Sequence, residues 1–356
     1  MKYTYWLACM PFGSEKKRML VGDYFSAKAV YETKKEELER LSYLNECDVK
    51  ALTDLGCKKK YIEDYEKIKE QDIVFCPYTS VEYPSRLRNI YNPPFALFYK
   101  GKLPKEDGIK VAVVGARVCS AYGQKISEQI GEAFGKIGID VISGMARGVD
   151  SAAHYGALKG NGKTFAVLGC GVDIVYPRQN RELYNRILEN GGVISEYAPG
   201  TPAQPIFFPL RNRIISGLSD VVIVTEAKRK SGSLITADLA MDQGREVFCV
   251  PGRVGDSLSE GTNDLIHQGA GIITSFEQLM NDLNLTYKPE KNGVYDIGGL
   301  SKDEVTLYKA LDEYPKSLDN ILDASNLTIS TVFEVISSLM SKGLIKETFK
   351  NNYVRC

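Results

Sequence analysis

Residues 111–148 read VAVVGARVCSAYGQKISEQIGEAFGKIGIDVISGMARG, two glycine turns in tandem, each carrying an arginine. In the first, Gly115 and Arg117 are followed by Ser120, Tyr122 and Gly123; in the second, Gly144, Arg147 and Gly148 frame SGMARG. An apolar strand that ends in a glycine turn and opens a helix gathers backbone N–H groups where an anion is stabilised. An arginine beside it adds a planar fork that matches phosphate. Two such turns together point to a ligand with more than one phosphate. Further along, Phe207, Phe208 and Pro209 precede Arg211-Asn212-Arg213, and Lys228, Arg229 and Lys230 precede Ser231, Gly232 and Ser233. Aromatics beside cations suit single-stranded nucleic acid, whose bases stack at ~1–3 kcal/mol each while cations follow the backbone.

Each feature alone has a plain structural reading. A lone glycine turn is a tight corner, an arginine at a strand end pairs with a carboxylate such as Glu226, and Phe207 or Phe208 packs in a core. Four Gly/Ser/Arg turns converging on one edge are what that reading leaves unexplained. His154, in GVDSAAHYGAL, reads as a helix-face residue near the site, and Asp150 as a cap of the same helix whose carboxylate holds Arg147.

The elements that position these residues alternate. Short β-branched runs begin at VAVVG (111), DVISG (140), FAVLG (165), GVISE (192), DVVIV (220), EVFCV (246) and GIIT (271), with amphipathic stretches such as KISEQIGEAFGKIG between them. This pattern predicts an α/β fold, a parallel sheet with helices on both faces. Ligands of such sheets sit outside the carboxyl ends of the strands. The stretch YAPGTPAQPIFFPLRNRIIS reads as a long loop. Around this centre, residues 1–70 are Lys/Glu-rich and helical, 71–105 a Pro/Tyr-rich connector, 106–286 the sheet domain, 287–298 a linker, and 299–356 a second small domain.

Composition narrows the chemistry. Lys+Arg and Asp+Glu both count 45 in 356 residues, so nucleic-acid binding must come from a local patch. Eight scattered Cys without CxxC and two His argue against zinc and fit reduced thiols in the cytoplasm. No apolar run reaches membrane-spanning length, and the start lacks the layout of a signal peptide. GxxxxGK[ST], GxGxxG with its ribose-binding acid, and GxSxG are all missing. The reading is therefore of no catalytic residue, no metal and no cofactor.

GARVCSAYG, SGMARGVDSAAH, AVLGCGVDIVYPRQN, SEYAPG, FPLRNRIISGLSDVVIVTEA, SGSLITADLA, VPGRVGDSLSEGTNDLI and HQGA, which together cover most of residues 80–282, resemble the DNA-processing protein A family (DprA, also called Smf). The resemblance implies an extended Rossmann-like domain that binds single-stranded DNA in natural transformation, protects the incoming strand, dimerises and loads RecA, with single-strand-binding protein as a further partner and no membrane contact. It implies that Gly115, Arg117, Ser120, Tyr122 and Gly123 form one phosphate-binding turn and Gly144, Arg147 and Gly148 a second. Arg211, Asn212, Arg213, Ser231, Gly232 and Ser233 continue the site, Lys228 and Lys230 extend its basic floor, and Phe207 or Phe208 is the base-stacking platform. The competing reading is a nucleotide-binding or nucleotide-hydrolysing Rossmann-like enzyme of the phosphoribohydrolase kind. Against it, EAKRKSGSLITADLA lacks that group's PGG, and Glu226 precedes the turn instead of following it.

The resemblance also implies a SAM-like or helix-hairpin-helix module at the N-terminus. There, Lys58, Lys59 and Lys60 after a Gly turn read as a solvated helix end or a phosphate contact. At the C-terminus, helix, turn, helix and a β-ribbon follow the pattern of a winged helix, with Val332, Val335, Ile336 and Leu339 at core spacing on its third helix. That helix exposes Ser, Thr and Glu334, not the cations of a duplex reader, which favours a protein-contact or regulatory role.

Overall fold

The computed structural model describes residues 1–285, 300–311 and 315–355; the expected linker at 287–298 lies outside the described residues. The chain forms two compact units, Met1–Tyr287 and Lys288–Cys356. Within the first, the β-branched runs become strands β3 (Lys110–Val114), β4 (Asp140–Ser143), β5 (Thr164–Val167), β6 (Gly192–Ser195), β7 (Val221–Val224), β8 (Glu246–Cys249) and β9 (Gly271–Ile272). All pair in parallel.

Two further strands, β1 (Val74–Pro77) and β2 (Ala96–Gly101), extend the sheet antiparallel beyond β6. They fall in the stretch that reads as a connector, so the sheet begins at Val74 and not after residue 105. The reason is local. Pro77 is tolerated because β1 is an edge strand, and the proline-rich surroundings hide a run of only four residues. The order β1-β2-β6-β5-β4-β3-β7-β8-β9 places β4 and β7 on opposite sides of β3. The chain reverses its direction of travel there, which opens a crevice at the carboxyl ends of β3 and β7.

Strand residues alternate between two faces. Ala112, Val114, Val222 and Val224 pack under α11 (Phe207–Leu218), α12 (Gly232–Asp242) and α13 (Glu260–His267). Val111, Val113, Val221 and Ile223 pack under α8 (Ala121–Lys136), α9 (Val149–Lys159) and α14 (Phe276–Asp282). Helices α1–α6 (Lys2–Ala8, Ser14–Tyr24, Ala27–Glu32, Lys35–Leu38, Glu46–Thr53, Leu55–Lys67) share one core with β1, β2 and α10 (Arg181–Asn190), where Tyr5, Trp6 and Leu7 meet Phe75 and Phe98. A short α7 (Ser85–Arg88) lies between β1 and β2. The N-terminal helices thus form one compact unit with the sheet. Lys58 is neither a solvated end nor open to a phosphate: it is buried within α6, donates to the Tyr31 carbonyl and lies 4.6 Å from the Tyr31 ring centroid.

Helices α8 and α9 set the two arginine turns side by side. Their seam is lined by glycine, so the backbones touch: a methyl on Gly131 would lie 2.9 Å from the Ala157 nitrogen, and one on Gly156 2.9 Å from that of Glu132. Because both helices start from the same sheet edge, close packing brings their N-termini together.

The second unit carries α15 (Lys302–Ala310), β10 (Lys316–Ser317), α16 (Leu318–Ser325), α17 (Ile329–Ser341), β11 (Ile345–Phe349) and β12 (Asn352–Arg355), with strand order β10-β12-β11. Val332, Val335, Ile336 and Leu339 are buried. Glu304 ties α15 to α17: its carboxylate accepts from Lys342 Nζ, Ser338 Oγ and the Ser301 backbone N–H, each at 2.6 Å. These donors, Lys342 first, hold its carboxyl down at about 2. A depressed carboxyl contributes stability above its ordinary pKa, lost as pH falls toward the folded value. Amide exchange in α15 and α17, corrected for intrinsic rates, should therefore accelerate as pH falls from 4.5 toward about 2 in the native chain, and that step should be missing in Glu304→Gln. Equal pH profiles would refute it.

No helix among the described residues is long and apolar enough to cross a membrane, and the described residues hold no cluster of metal-ligating side chains.

Candidate nucleic-acid interface

The crevice at β3 and β7 opens into a cleft of about 600 Å³. One wall is the turn after β3, with Gly115, Ala116 and Arg117; the opposite wall is the start of α12, with Ser231, Gly232 and Ser233; Lys228 and Lys230 stand exposed at the rim. Between these two cations, Arg229 turns away to Asp264, 3.4 Å distant. Ser231 caps α12 through its hydroxyl, and a Cβ on Gly232 would meet open space. This helix end accommodates an anion.

The other two glycine turns are already filled from within. Glu226 lies under Gly123 and accepts from the Ser120 N–H (2.8 Å) and hydroxyl (2.5 Å) at the start of α8. Ser120 in turn caps Gly123 N–H at 3.0 Å. Asp150 accepts from Gly144 N–H (3.1 Å) and Ala146 N–H (3.3 Å) at the second turn. Ser120, Gly123 and Gly144 therefore shape the turns: the N–H groups of Ser120 and Gly144 serve internal carboxylates, and that of Gly123 serves the Ser120 hydroxyl. This corrects two expectations: these turns offer an incoming phosphate side chains instead of backbone nests, and Asp150 is spent on backbone N–H groups, not on Arg147. Tyr122 stands half-exposed on the first turn of α8, outside the lining of the cleft.

The Arg-Asn-Arg segment is helical, not part of a loop. Phe207–Leu218 is α11, with Pro209 in its first turn, where a missing N–H costs nothing. Successive side chains on a helix point about 100° apart, so these neighbours separate. Phe208 faces the cleft, stacks on Tyr176 (centroids 5.4 Å apart) and carries the Arg117 guanidinium 5.0 Å from its ring centroid. Phe207 stacks on Tyr197 at 4.2 Å and is a packing residue. Asn212 lines the cleft and donates to the Gly232 carbonyl at 3.1 Å. Arg211, 5% exposed, forms the floor and donates to the carbonyls of Gly144 and Val167. Burial lowers its pKa while the nearby Asp150 carboxylate works the other way.

Arg213 does not belong to the cleft. It is 8% exposed, makes a bidentate pair with Glu196 at 2.6 Å on both arms, and donates to the Asn92 carbonyl at 2.9 Å. Burial opposes its charge, but the Glu196 carboxylate overrides this and raises its pKa. Its partners bind α11 to the loop before β2 and to the end of β6. Arg213→Ala leaves Glu196, whose side chain is 12% exposed, with only the Ser14 hydroxyl at 3.4 Å, and should cost about 3 kcal/mol. A urea melt should show that loss, with DNA affinity per folded molecule unchanged; an undiminished midpoint would contradict this assignment.

A second cleft, also about 600 Å³, adjoins the first and shares Arg117, Val118, Tyr176, Phe208 and Arg211 with it. It adds Gly144 and the exposed Arg147. Three residues here had no role in the sequence reading: Tyr176 (44% exposed), Val118 (81% exposed) and Arg178. Their signal is position, since VYPR follows the buried run of β5 and Val118 is next to Arg117. His154, in contrast, is fully buried behind the turn. The Thr164 hydroxyl donates to the Val141 carbonyl (2.8 Å) and so accepts from His154 Nδ1 at 2.6 Å, while burial holds the imidazole near pKa 3. It is a neutral core residue.

A family model described as DNA recombination-mediator protein A matches residues 74–284. The DNA processing protein DprA of Streptococcus pneumoniae is 46% identical over 198 residues, covering 56% of this chain and 70% of the relative. This chain belongs to the DNA recombination-mediator protein A family. DprA of Bacillus subtilis is 41% identical over 228 residues, 64% of this chain and 75% of that one. The X-ray structure of DprA from S. pneumoniae superposes with a TM-score of 0.67 at 35% identity, covering 81% of this chain and 99% of that chain. A structure of DprA from Helicobacter pylori, described as giving insight into that protein's single-stranded DNA binding mode, superposes with a TM-score of 0.53 at 30% identity over 59% of this chain and 95% of that chain. The family match starts at Val74, the first residue of β1, so the antiparallel strands lie within the matched span.

Proposed function

We propose that this family member is a single-stranded DNA-binding recombination mediator whose groove is the pair of adjoining clefts. Arg117, Arg147, Lys228 and Lys230 take backbone phosphates there, the open N-terminus of α12 takes another, and Phe208 with Tyr176 receives bases. The observation that carries this reading is Arg117, exposed, without a carboxylate partner among the described residues, and stacked over Phe208 where the two clefts meet. The H. pylori relative's single-strand binding supports it.

The same reading has the strand protected, handed to RecA and held by a cytoplasmic homodimer that also meets single-strand-binding protein, with no cofactor and no catalytic step. The helices of residues 1–70 serve as a SAM-like module and the second unit as a winged helix that contacts protein. Glu226, the acid a phosphoribohydrolase-like enzyme would need, is engaged at the start of α8, which favours binding over hydrolysis.

Fluorescence anisotropy of the full chain with single- and double-stranded oligonucleotides tests this. Single strands should bind more tightly, and log affinity should fall with log salt by ~0.7 for each phosphate neutralised. Equal or tighter duplex binding would overturn the reading. RecA filament growth on strands coated with single-strand-binding protein should speed up when the chain is added; an unchanged rate removes the mediator step.

A further inference from the structure

The groove does not stop at Arg147. Arg147 and Gln179 line both the second cleft and a third, of about 550 Å³, that runs along the outer seam of α8 and α9. Gln124 and Glu128, one turn apart on α8, form one wall, and Ser151, Tyr155 and Lys159, spaced four residues apart on α9, form the other. From Ser151 to Lys159 the seam is about 12 Å long at 1.5 Å rise per residue, against ~3.4 Å of axial rise per phosphate in a stacked strand.

The third cleft is polar and its free charge is positive. Lys159 is held by Glu132 at 2.9 Å and Glu128 at 3.4 Å, and Lys136 pairs with Glu132 at 3.1 Å, so two cations answer two carboxylates. Arg147 and Arg186 have no carboxylate partner among the described residues. Arg186, from α10, lies 5.6 Å from the centroid of the Tyr155 ring. A guanidinium laid against an aromatic ring is held in place and keeps its N–H edge for an acceptor. Gln124 and Gln179 offer amides able to donate and accept, which suits base edges without selecting a sequence.

We propose that this third cleft carries the continuation of the DNA strand, with Arg186 as its outer phosphate contact and Arg147 as the hinge between the two segments. The inference rests on the single-strand reading above and gives the groove a direction: from the crevice at β3 and β7, past Arg147, and down the α8–α9 seam. The path predicts two classes of oligonucleotide. A short one fits in the first two clefts and never meets Arg186; a longer one does.

The experiment measures anisotropy of the full-length protein with oligothymidylates of about five and about twenty nucleotides, lengths that bracket the span of one compact single-strand site. Arg186→Glu, and separately Gln124→Glu on the opposite wall, should each weaken the long oligonucleotide about tenfold and leave the short one within twofold. In Arg186→Ala the salt slope for the long strand should drop by ~0.7, one phosphate contact. Both surface changes are compatible with the fold, and an unchanged short-oligonucleotide affinity verifies that. Equal long-strand affinity in both charge variants overturns the path while the groove reading stands. A loss of equal size on the short strand also overturns it. A loss on duplex alone reassigns the cleft to double-stranded DNA. Failure of the native protein to bind either single strand removes the groove reading and the path together.

Discussion

Arg117→Ala lowers affinity for a single-stranded oligonucleotide by one to two orders of magnitude, the ~1.5–3 kcal/mol of a charge-assisted contact. The size follows from where the residue stands. Arg117 lines both main clefts, is exposed, and uses Phe208 as its support. Alanine removes the fork and the cover of the ring at once. Phe208→Ala should cost ~1–3 kcal/mol through lost stacking. Because the two side chains touch, the double variant should lose less than the sum. Equilibrium binding at fixed salt measures all three; an Arg117→Ala protein that binds like the native chain removes the site from this crevice.

Gly148→Ala acts on the same turn through the backbone. Gly148 has φ 72° and ψ −126°, a region essentially reserved for glycine. An added Cβ would also press on the carbonyls of Ala116 and Arg117, the latter at 2.8 Å. Both neighbours are backbone, so no rotamer change relieves the clash. The expected loss is ~3 kcal/mol or more, a fall in Tm on the order of 10 °C for a unit of this size, together with displacement of Arg117 and loss of binding. Gly138→Ala is the control. Its φ is +76° with nothing near its Cβ, so it should lose only the ~1–2 kcal/mol of a left-handed residue and keep its DNA affinity. Equal melting temperatures for Gly148→Ala and Gly138→Ala would refute the clash.

The parallel strands were legible because buried parallel strands are written as continuous β-branched runs, as in VVIV and VAVV. β1 and β2 were not: VFCP and ALFYKG sit among prolines and tyrosines and pair antiparallel, with only the single turn of α7 between them instead of an amphipathic helix. Glycine and arginine at the strand ends pointed to the right edge of the sheet, but residue type did not say which arginine is free. Arg211, Asn212 and Arg213 are adjacent in sequence, and one helix sends them to a cleft floor, a cleft wall and a buried ion pair. The same rotation sends Phe208 to the groove and Phe207 to Tyr197. Only the helix phase, set by tertiary packing, decides between them. Glu226 was visible as a carboxylate near the first turn, yet its role depends on β7 lying beside β3, a pairing more than a hundred residues apart.

The carboxylates of Glu226 and Asp150 bear on which anions this protein ignores. A cell is full of free nucleotides, and a sheet edge with three vacant helix ends would hold them tightly. Here two of the three ends carry a built-in counterion, so a solitary phosphate has one helix end and scattered side chains to compete for. Appreciable binding then has to be collected over several phosphates joined in one chain, where each contact raises the effective concentration of the next. On the single-strand reading proposed above, occupying its own nests makes the groove a detector of polymer over monomer.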